Sequence, residues 1–237
     1  MLVEVDGTSV LTDPLLVERL GPLRRRAGLA REIIEAITPD VVVISHAHHD
    51  HLHLPSLARL AGRPPLVVPR GLGRLVARHR YDATELAPGE SVTVGSLRIT
   101  ATPALHHGGR GPLTRAHAVG YRLEGTRRVY FAGDTDLFAE MAELAGKVDV
   151  ALLPVWGWGP RLGRGHLDPA RAAEAVSRIR PRLAIPIHWG TFYPVGLSRI
   201  WPGPLERPPL DFVDEVRRVA PSCAVRVLAP GDGIALD

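Results

Sequence analysis

Cysteine is almost absent from the chain. The 237 residues contain a single one, Cys223, so no internal disulfide can form. Lysine is equally scarce, with Lys147 as the only one among 29 basic residues. The net charge of +4 therefore comes from scattered arginines, and no Lys/Arg run is long enough to predict a nucleic-acid-binding arm. We expect no nucleic-acid partner.

Long apolar runs are also missing. No uninterrupted stretch approaches the roughly 20 apolar residues that a transmembrane helix needs. The first ten residues carry charges at Glu4 and Asp6, unlike a secretory signal peptide. We therefore expect a cytoplasmic chain without stable membrane insertion. The content of 45% apolar and 23% charged residues is typical of globular proteins, and the length suits one domain over residues 1–237.

Apolar patterning predicts strands and helices in alternation, which indicates a mixed α/β domain with a β-rich core. Predicted strands lie at 2–11 (a hairpin), 41–45, 65–69, 91–105 (two strands), 118–133 (a hairpin), 148–155, 183–187 and 225–228. Predicted helices lie at 31–37, from 55, at 72–80, 136–145, 168–179 and 211–220, with Asp136 and Asp168 as N-terminal caps.

Histidines cluster after the predicted strand at 41–45, where five of the eleven fall between positions 46 and 53. Side chains two residues apart point the same way in an extended segment, so His46 and His48 can hold one ion. Asp50 and His51 follow where the chain turns, and they can hold a second. Imidazole nitrogens and carboxylate oxygens suit Zn²⁺, with Mn²⁺ or Fe as alternatives.

Three further candidate ligands each follow a predicted strand: His106, Asp134 and His188. If these strand ends lie at one edge of the sheets, the side chains converge. Seven ligands exceed what one tetrahedral ion accepts, so we predict two divalent ions. The first ion takes His46, His48 and His106; the second takes Asp50, His51 and His188; Asp134 bridges them.

Three segments make the chain resemble a known family. SHAHHDH matches the H-x-H-x-D-H signature of the metallo-β-lactamase superfamily, FAGDTD resembles its segment with the bridging aspartate, and PIHWGTF its last histidine strand. The resemblance implies a four-layer αββα sandwich with metals at one edge. LTDP, TPALHHGGRG and GHLDPARAAEAV are similar to the branch that holds ascorbate-6-phosphate lactonase and N-acylphosphatidylethanolamine phospholipase D.

The two-metal site predicts hydrolysis, because paired ions generate a hydroxide nucleophile near neutral pH. We expect it to attack a carbonyl of a small lactone-type molecule, with Asp50 as a catalytic residue that orients the hydroxide or moves a proton. A phosphodiesterase, acting on a phospholipid or a nucleotide, is the alternative. A metal-binding protein without catalysis is the third hypothesis.

Other residues are candidates for contact with the substrate. His166 lies in a Gly-rich loop and is predicted to be catalytic, by contacting substrate or stabilising an oxyanion. Trp156 and Trp158 form a candidate pocket wall, with packing beneath their loop as the alternative. Phe192 is a similar candidate, and Arg110 could pair with an anionic group. A homo-oligomer remains open.

Overall fold

The computed structural model describes residues 1–28, 31–111 and 116–236, apart from the side chains at 31 and 33. The strands are β1 (Leu2–Val5), β2 (Thr8–Thr12), β3 (Arg19–Leu20), β4 (Leu23–Arg25), β5 (Val41–Val43), β6 (Leu66–Pro69), β7 (Ala83–Leu86), β8 (Ser91–Val94), β9 (Leu97–Pro103), β10 (Val119–Glu124), β11 (Arg128–Phe131), β12 (Val150–Pro154), β13 (Leu183–Ile187), β14 (Phe192–Pro194) and β15 (Ala224–Val225). The α-helices are α1 (Arg31–Ala36), α2 (Leu54–Leu57), α3 (Gly73–Ala77), α4 (Pro169–Ile179) and α5 (Gly203–Val219), and 3₁₀ helices cover Ala139–Leu144 and Leu197–Arg199.

The chain forms two compact units. The first unit comprises residues 1–18 and 29–136, and the second unit comprises residues 19–28 and 137–237. Both contain strands and helices, as the alternating pattern predicts. The expectation of one domain over the whole chain stays a prediction.

Two sets of strands build the first unit. One sheet has the order β1-β2-β5-β6-β7, in which β1 and β2 form an antiparallel hairpin and the remaining pairs are parallel. The other set, β8 to β11, is an antiparallel meander. All three residues of β5 are fully buried, which explains why its sequence is a continuous run of valine. This buried strand leads directly into the histidine cluster.

The second unit contains the parallel strands β12, β13 and β15, and the short antiparallel set β14, β4 and β3. Helices α4 and α5 pack against each other, and α4 buries Ala172, Val176 and Ile179 along one face. Within the described residues, no helix combines the length and the apolar character that crossing a membrane requires.

The predicted helix at 136–145 is wrong in its start and its type. A 3₁₀ helix begins at Ala139, with Phe138 in the capping position. Asp136 does not cap it; its main-chain N–H instead donates to the Leu105 carbonyl at 2.9 Å, in an isolated antiparallel bridge. This bridge places the segment from Asp134 to Asp136 beside Leu105, which follows β9 and directly precedes His106.

Helix α5 begins eight residues before the predicted start at Asp211, and it includes Pro208 and Pro209. Prolines inside a helix remove main-chain donors and normally stop it. Here both proline rings are buried on the same face as Leu205, Phe212 and Val216. Packing of that apolar face therefore overrides the local preference.

Short strands were harder to predict. The pattern does not indicate β3, β4, β7 or β14, which have two to four residues each and little alternation. The last predicted strand, at 225–228, is reduced to Ala224–Val225. These strands are held by pairing with neighbours distant in sequence, which a local pattern does not record.

The N-terminal cap of α4 gives a test of the fold. Asp168 accepts a hydrogen bond from the Arg171 main-chain N–H at 2.8 Å, and Pro169 follows it at the first helical position. We expect Asp168→Ala to lower the free energy of unfolding by about 1 kcal/mol, whereas Asp168→Asn keeps the acceptor and changes it little. Urea unfolding of both variants checks this; equal loss in the two would contradict the capping role.

Candidate metal centre

The loop at residues 46–52, called here the ligand loop, places its side chains by a tight turn. The main-chain N–H groups of His51 and Leu52 both donate to the His48 carbonyl, at 3.1 and 2.9 Å. The turn brings the rings of His46 and His51 to a centroid distance of 4.0 Å. Both rings are buried, because the loop continues directly from the buried strand β5.

Three predicted ligands of the first ion lie together. His46 Nε2 lies 2.9 Å from His48 Nδ1, and His106 Nε2 lies 3.3 Å from the same atom. One nitrogen from each residue falls within a common 4.8 Å span. His106 reaches this group from the end of β9, so the expected convergence of strand ends is observed for these three side chains.

Carboxylates surround His51. Its Nδ1 lies 2.6 Å from Asp13 Oδ2, and its Nε2 lies 3.2 Å from Asp134 Oδ2 and 3.5 Å from Asp50 Oδ2. Burial works against a charged ring, but the negative charges of Asp134, Asp13 and Asp50 outweigh it and hold the pKa of His51 well above its usual value. The three carboxylates thus create a buried place that favours positive charge.

The pKa values of the two neighbouring imidazoles, His46 and His48, are shifted in the opposite direction. Burial lowers the pKa of His46 far below its ordinary value, and the nearby His51 lowers it further. Burial also lowers the pKa of His48, against the pull of Asp50. Neutral imidazole is the form that coordinates a metal, so the environment keeps these nitrogens ready to act as ligands.

Asp13 has a role that the sequence reasoning missed. It accepts hydrogen bonds from the Ser45 main-chain N–H at 2.7 Å and from the Ser45 hydroxyl, in addition to its contact with His51. Its backbone is left-handed, with φ of 38°, where the chain turns into Pro14. The available signal was Asp-Pro directly after a strand, in the LTDP segment. Asp13 fixes the ring of His51 through Nδ1 and leaves Nε2 facing the other carboxylates.

The turn before Asp134 requires glycine. Gly133 has φ of +60°, and a Cβ placed there would lie 2.4 Å from the Ser45 Cβ. The next residue, Thr135, accepts a hydrogen bond from the Leu105 main-chain N–H at 2.9 Å and donates one to the Asp136 carbonyl. The segment is therefore fixed on both sides of Asp134.

The remaining predicted ligand and one predicted catalytic residue lie in the second unit. His188 directly follows β13 and has a left-handed backbone, with φ of 59°. His166 Nδ1 lies 3.2 and 3.1 Å from the carbonyls of Gly163 and Arg164, so its own loop orients the ring. The roles of both histidines stay predictions.

The candidate substrate residues of the second unit have different surroundings. Trp156 donates from Nε1 to the Gly159 carbonyl at 2.9 Å, which closes its loop, whereas Trp158 is 47% exposed. Phe192 is buried in β14, with the guanidinium of Arg25 at 4.6 Å from its ring centre. Trp158 is thus the most accessible of the three for a substrate.

Arg110 points back to the ligand loop. Its guanidinium donates to the main-chain carbonyls of Ala47 and Leu52 and lies 3.4 Å from that of His48. Its contact with substrate stays a prediction.

Comparisons with known proteins agree with this geometry. The family model described as the beta-lactamase superfamily domain matches residues 8–189. The chain belongs to this family. It is 32% identical over 235 residues to N-acyl-phosphatidylethanolamine-hydrolyzing phospholipase D 1 of Caenorhabditis elegans, an alignment that covers 87% of this chain and 65% of that relative. It is 31% identical to a metal-dependent hydrolase of Methanopyrus kandleri, over 97% of this chain and 93% of that one.

A solved structure is similar to that of this chain. The metallo hydrolase Igni18 from Ignicoccus hospitalis matches with a TM-score of 0.78 and 26% identity, covering 100% of this chain and 94% of that one. The predicted metallo-β-lactamase fold is therefore confirmed. The chain spans 60–65% of the length of the first curated relatives that it matches.

The contact between Asp13 and His51 predicts a pH-dependent stability. Asp13→Asn keeps an oxygen for the Ser45 N–H but removes the charge beside His51. Because the folded protein raises the pKa of His51, the stabilisation is complete below the unfolded pKa of about 6.5 and is lost as pH rises through the raised value. In chelator-treated protein, the difference in unfolding free energy between wild type and Asp13→Asn should be larger near about pH 6 than near about pH 9.

Asp40→Asn is the matched control. Asp40 accepts two hydrogen bonds from Ser9, which lower its pKa. Its contribution is present above the unfolded pKa of about 3.9 and is therefore constant between the two test conditions. If the difference in unfolding free energy between wild type and Asp13→Asn is also the same at both pH values, the ion pair with His51 is contradicted.

Proposed function

We propose that this chain is a hydrolase with two divalent metal ions, most consistent with Zn²⁺. One observation carries the proposal: the imidazole nitrogens of His46, His48 and His106 converge from two strand ends, beside a buried group of carboxylates. Imidazole nitrogens with buried carboxylates are the donor set that Zn²⁺, Mn²⁺ and Fe accept. The residues present therefore fit the metal ions that the family implies.

In this proposal, His46, His48 and His106 hold the first ion. Asp50, His51 and the predicted ligand His188 would hold the second, and Asp134 would be shared between the two ions. Bound divalent ions supply Lewis acidity, which activates water and polarises the group that is cleaved. No serine or cysteine nucleophile is required.

The protein groups around the ions orient ligands and move protons. Asp13 contacts Nδ1 of His51 and orients the ring, so that Nε2 would be the atom available to an ion once the ring has lost its proton. The side chain of Asp50 is more exposed than those of Asp13 and Asp134, with 18% of it accessible, and we assign Asp50 the transfer of a proton. His166 keeps its proposed role in stabilising the charge that develops on the substrate oxygen.

We propose a lactone-type carbonyl as the bond that is cleaved, in a small molecule that contacts the exposed ring of Trp158. A phosphodiester is the second candidate, and a specific finding favours it: one relative, at 32% identity, is named as a phospholipase D. The non-catalytic alternative has less support, because a protein that only binds metal needs neither a bridging carboxylate nor a proton-transfer group.

Hydrolysis assays with zinc-loaded protein distinguish the candidates. We expect turnover of a generic lactone, measured by acid release, to exceed that of bis(p-nitrophenyl) phosphate, measured by nitrophenolate absorbance. His46→Ala is the inactive reference for both substrates, because it removes a buried ligand. The reverse order of turnover would establish the phosphodiesterase, and absence of turnover in both assays with metal bound would support the non-catalytic alternative.

The bridging role of Asp134 has its own test. We expect Asp134→Ala to retain one metal equivalent or fewer and to lose hydrolysis by at least about 1000-fold, because both ions lose an oxygen ligand. Asp136→Ala is the matched control, since this carboxylate lies two residues away and its main chain, not its side chain, makes the bridge to Leu105. Elemental analysis measures the metal content; an unchanged content in Asp134→Ala would exclude the bridge.

A further inference from the structure

The side chain of Arg110 makes an unusual set of contacts for a candidate substrate residue. It follows β9 in the same segment as His106, and it turns back onto the ligand loop. Nε donates to the Ala47 carbonyl at 2.7 Å, and Nη2 donates to the Leu52 carbonyl at 2.5 Å. Ala47 and Leu52 are fully buried, so these carbonyls have little access to water as a substitute partner.

The main chain adds a second link between the same two segments. The Ala47 N–H donates to the Gly108 carbonyl at 2.9 Å. On its other side, Gly108 is pressed against the chain at 116–118, where an added Cβ would lie 2.3 Å from the Ala118 nitrogen. The segment that carries His106 is therefore fixed between residues 116–118 and the ligand loop.

The distances among the three imidazole rings show that one nitrogen is shared. His48 Nδ1 is common to both short distances, to His46 and to His106. A ring nitrogen carries either one proton or one lone pair. His48 Nδ1 can therefore make a good hydrogen bond to only one of the two other rings at a time. The Arg110 side chain and the Ala47–Gly108 hydrogen bond therefore join the ligand loop to the segment without a cation.

We propose that Arg110 is a positioning residue that joins the ligand loop to the His106 segment and so preforms the site of the first ion. The inference rests on the proposed function, because a preformed site matters only if a metal binds there. The planar guanidinium suits the task, since its N–H groups point in fixed directions toward two carbonyls that lie five residues apart.

The test compares Arg110→Met, Arg110→Lys and the control Arg74→Met, which changes an exposed arginine of α3 in the same unit. Two quantities are measured. Amide exchange in metal-free protein reports on the N–H groups of Ala47, His51 and Leu52. Competition with a chromophoric chelator gives the affinity for Zn²⁺.

We expect Arg110→Met to accelerate exchange in the ligand loop at least about tenfold while the peptide of α3 is unchanged. The affinity for Zn²⁺ should fall by about 10- to 100-fold, the usual effect of losing a group that orients metal ligands. Arg110→Lys, which can reach only one carbonyl at a time, should recover part of both losses. Arg74→Met should match the wild type in both measurements.

A substrate contact gives a different result. If Arg110→Met raises KM while loop exchange and Zn²⁺ affinity stay at wild-type values, the positioning role is wrong. If the wild type binds no Zn²⁺, the proposed function fails, yet the exchange measurement still decides whether Arg110 holds the loop. If Arg110→Met does not fold, as judged by exchange in α3, the same two readouts on Arg110→Lys decide the question.

Discussion

The central constraint on this structure is the burial of a group of histidines and carboxylates at the ends of strands. Buried polar groups are unfavourable unless they are paired, and here His51 is paired with Asp13, Asp134 and Asp50. The same burial keeps His46 and His48 neutral by lowering their pKa values. One set of side chains therefore combines a region that favours positive charge with imidazole nitrogens that can donate lone pairs, which is what a metal site requires.

The backbone around this group leaves little freedom. Gly133 allows the Asp134 turn to pass close to Ser45, and Gly108 allows the His106 segment to lie against residues 116–118. Substituting either glycine would introduce a Cβ into space already occupied by a neighbouring residue. Rigid placement of this kind agrees with the general need to hold metal ligands before the metal binds. A fold alone does not define a reaction, so the function is inferred from the side chains at these strand ends.

Much of the candidate site was predictable, because each ligand of the first ion follows a strand with a clear apolar pattern. His46 follows the buried valines of β5, and His106 follows β9. Asp13 was not predicted, since its partners Ser45 and His51 are more than 30 residues away in sequence. Helix α5 was predicted too short for a similar reason: its prolines argue against a helix locally, and only packing of its buried face explains their presence.

The most direct test of the central claim is the metal content of the purified protein. The chain is loaded with Zn²⁺, dialysed against metal-free buffer and analysed by inductively coupled plasma mass spectrometry. We expect about two metal equivalents per chain, retained through dialysis because the ligands are held in place before the metal binds. A chain that retains no metal after loading with Zn²⁺ or Mn²⁺ would contradict the account, since the histidines and carboxylates would then serve only the fold.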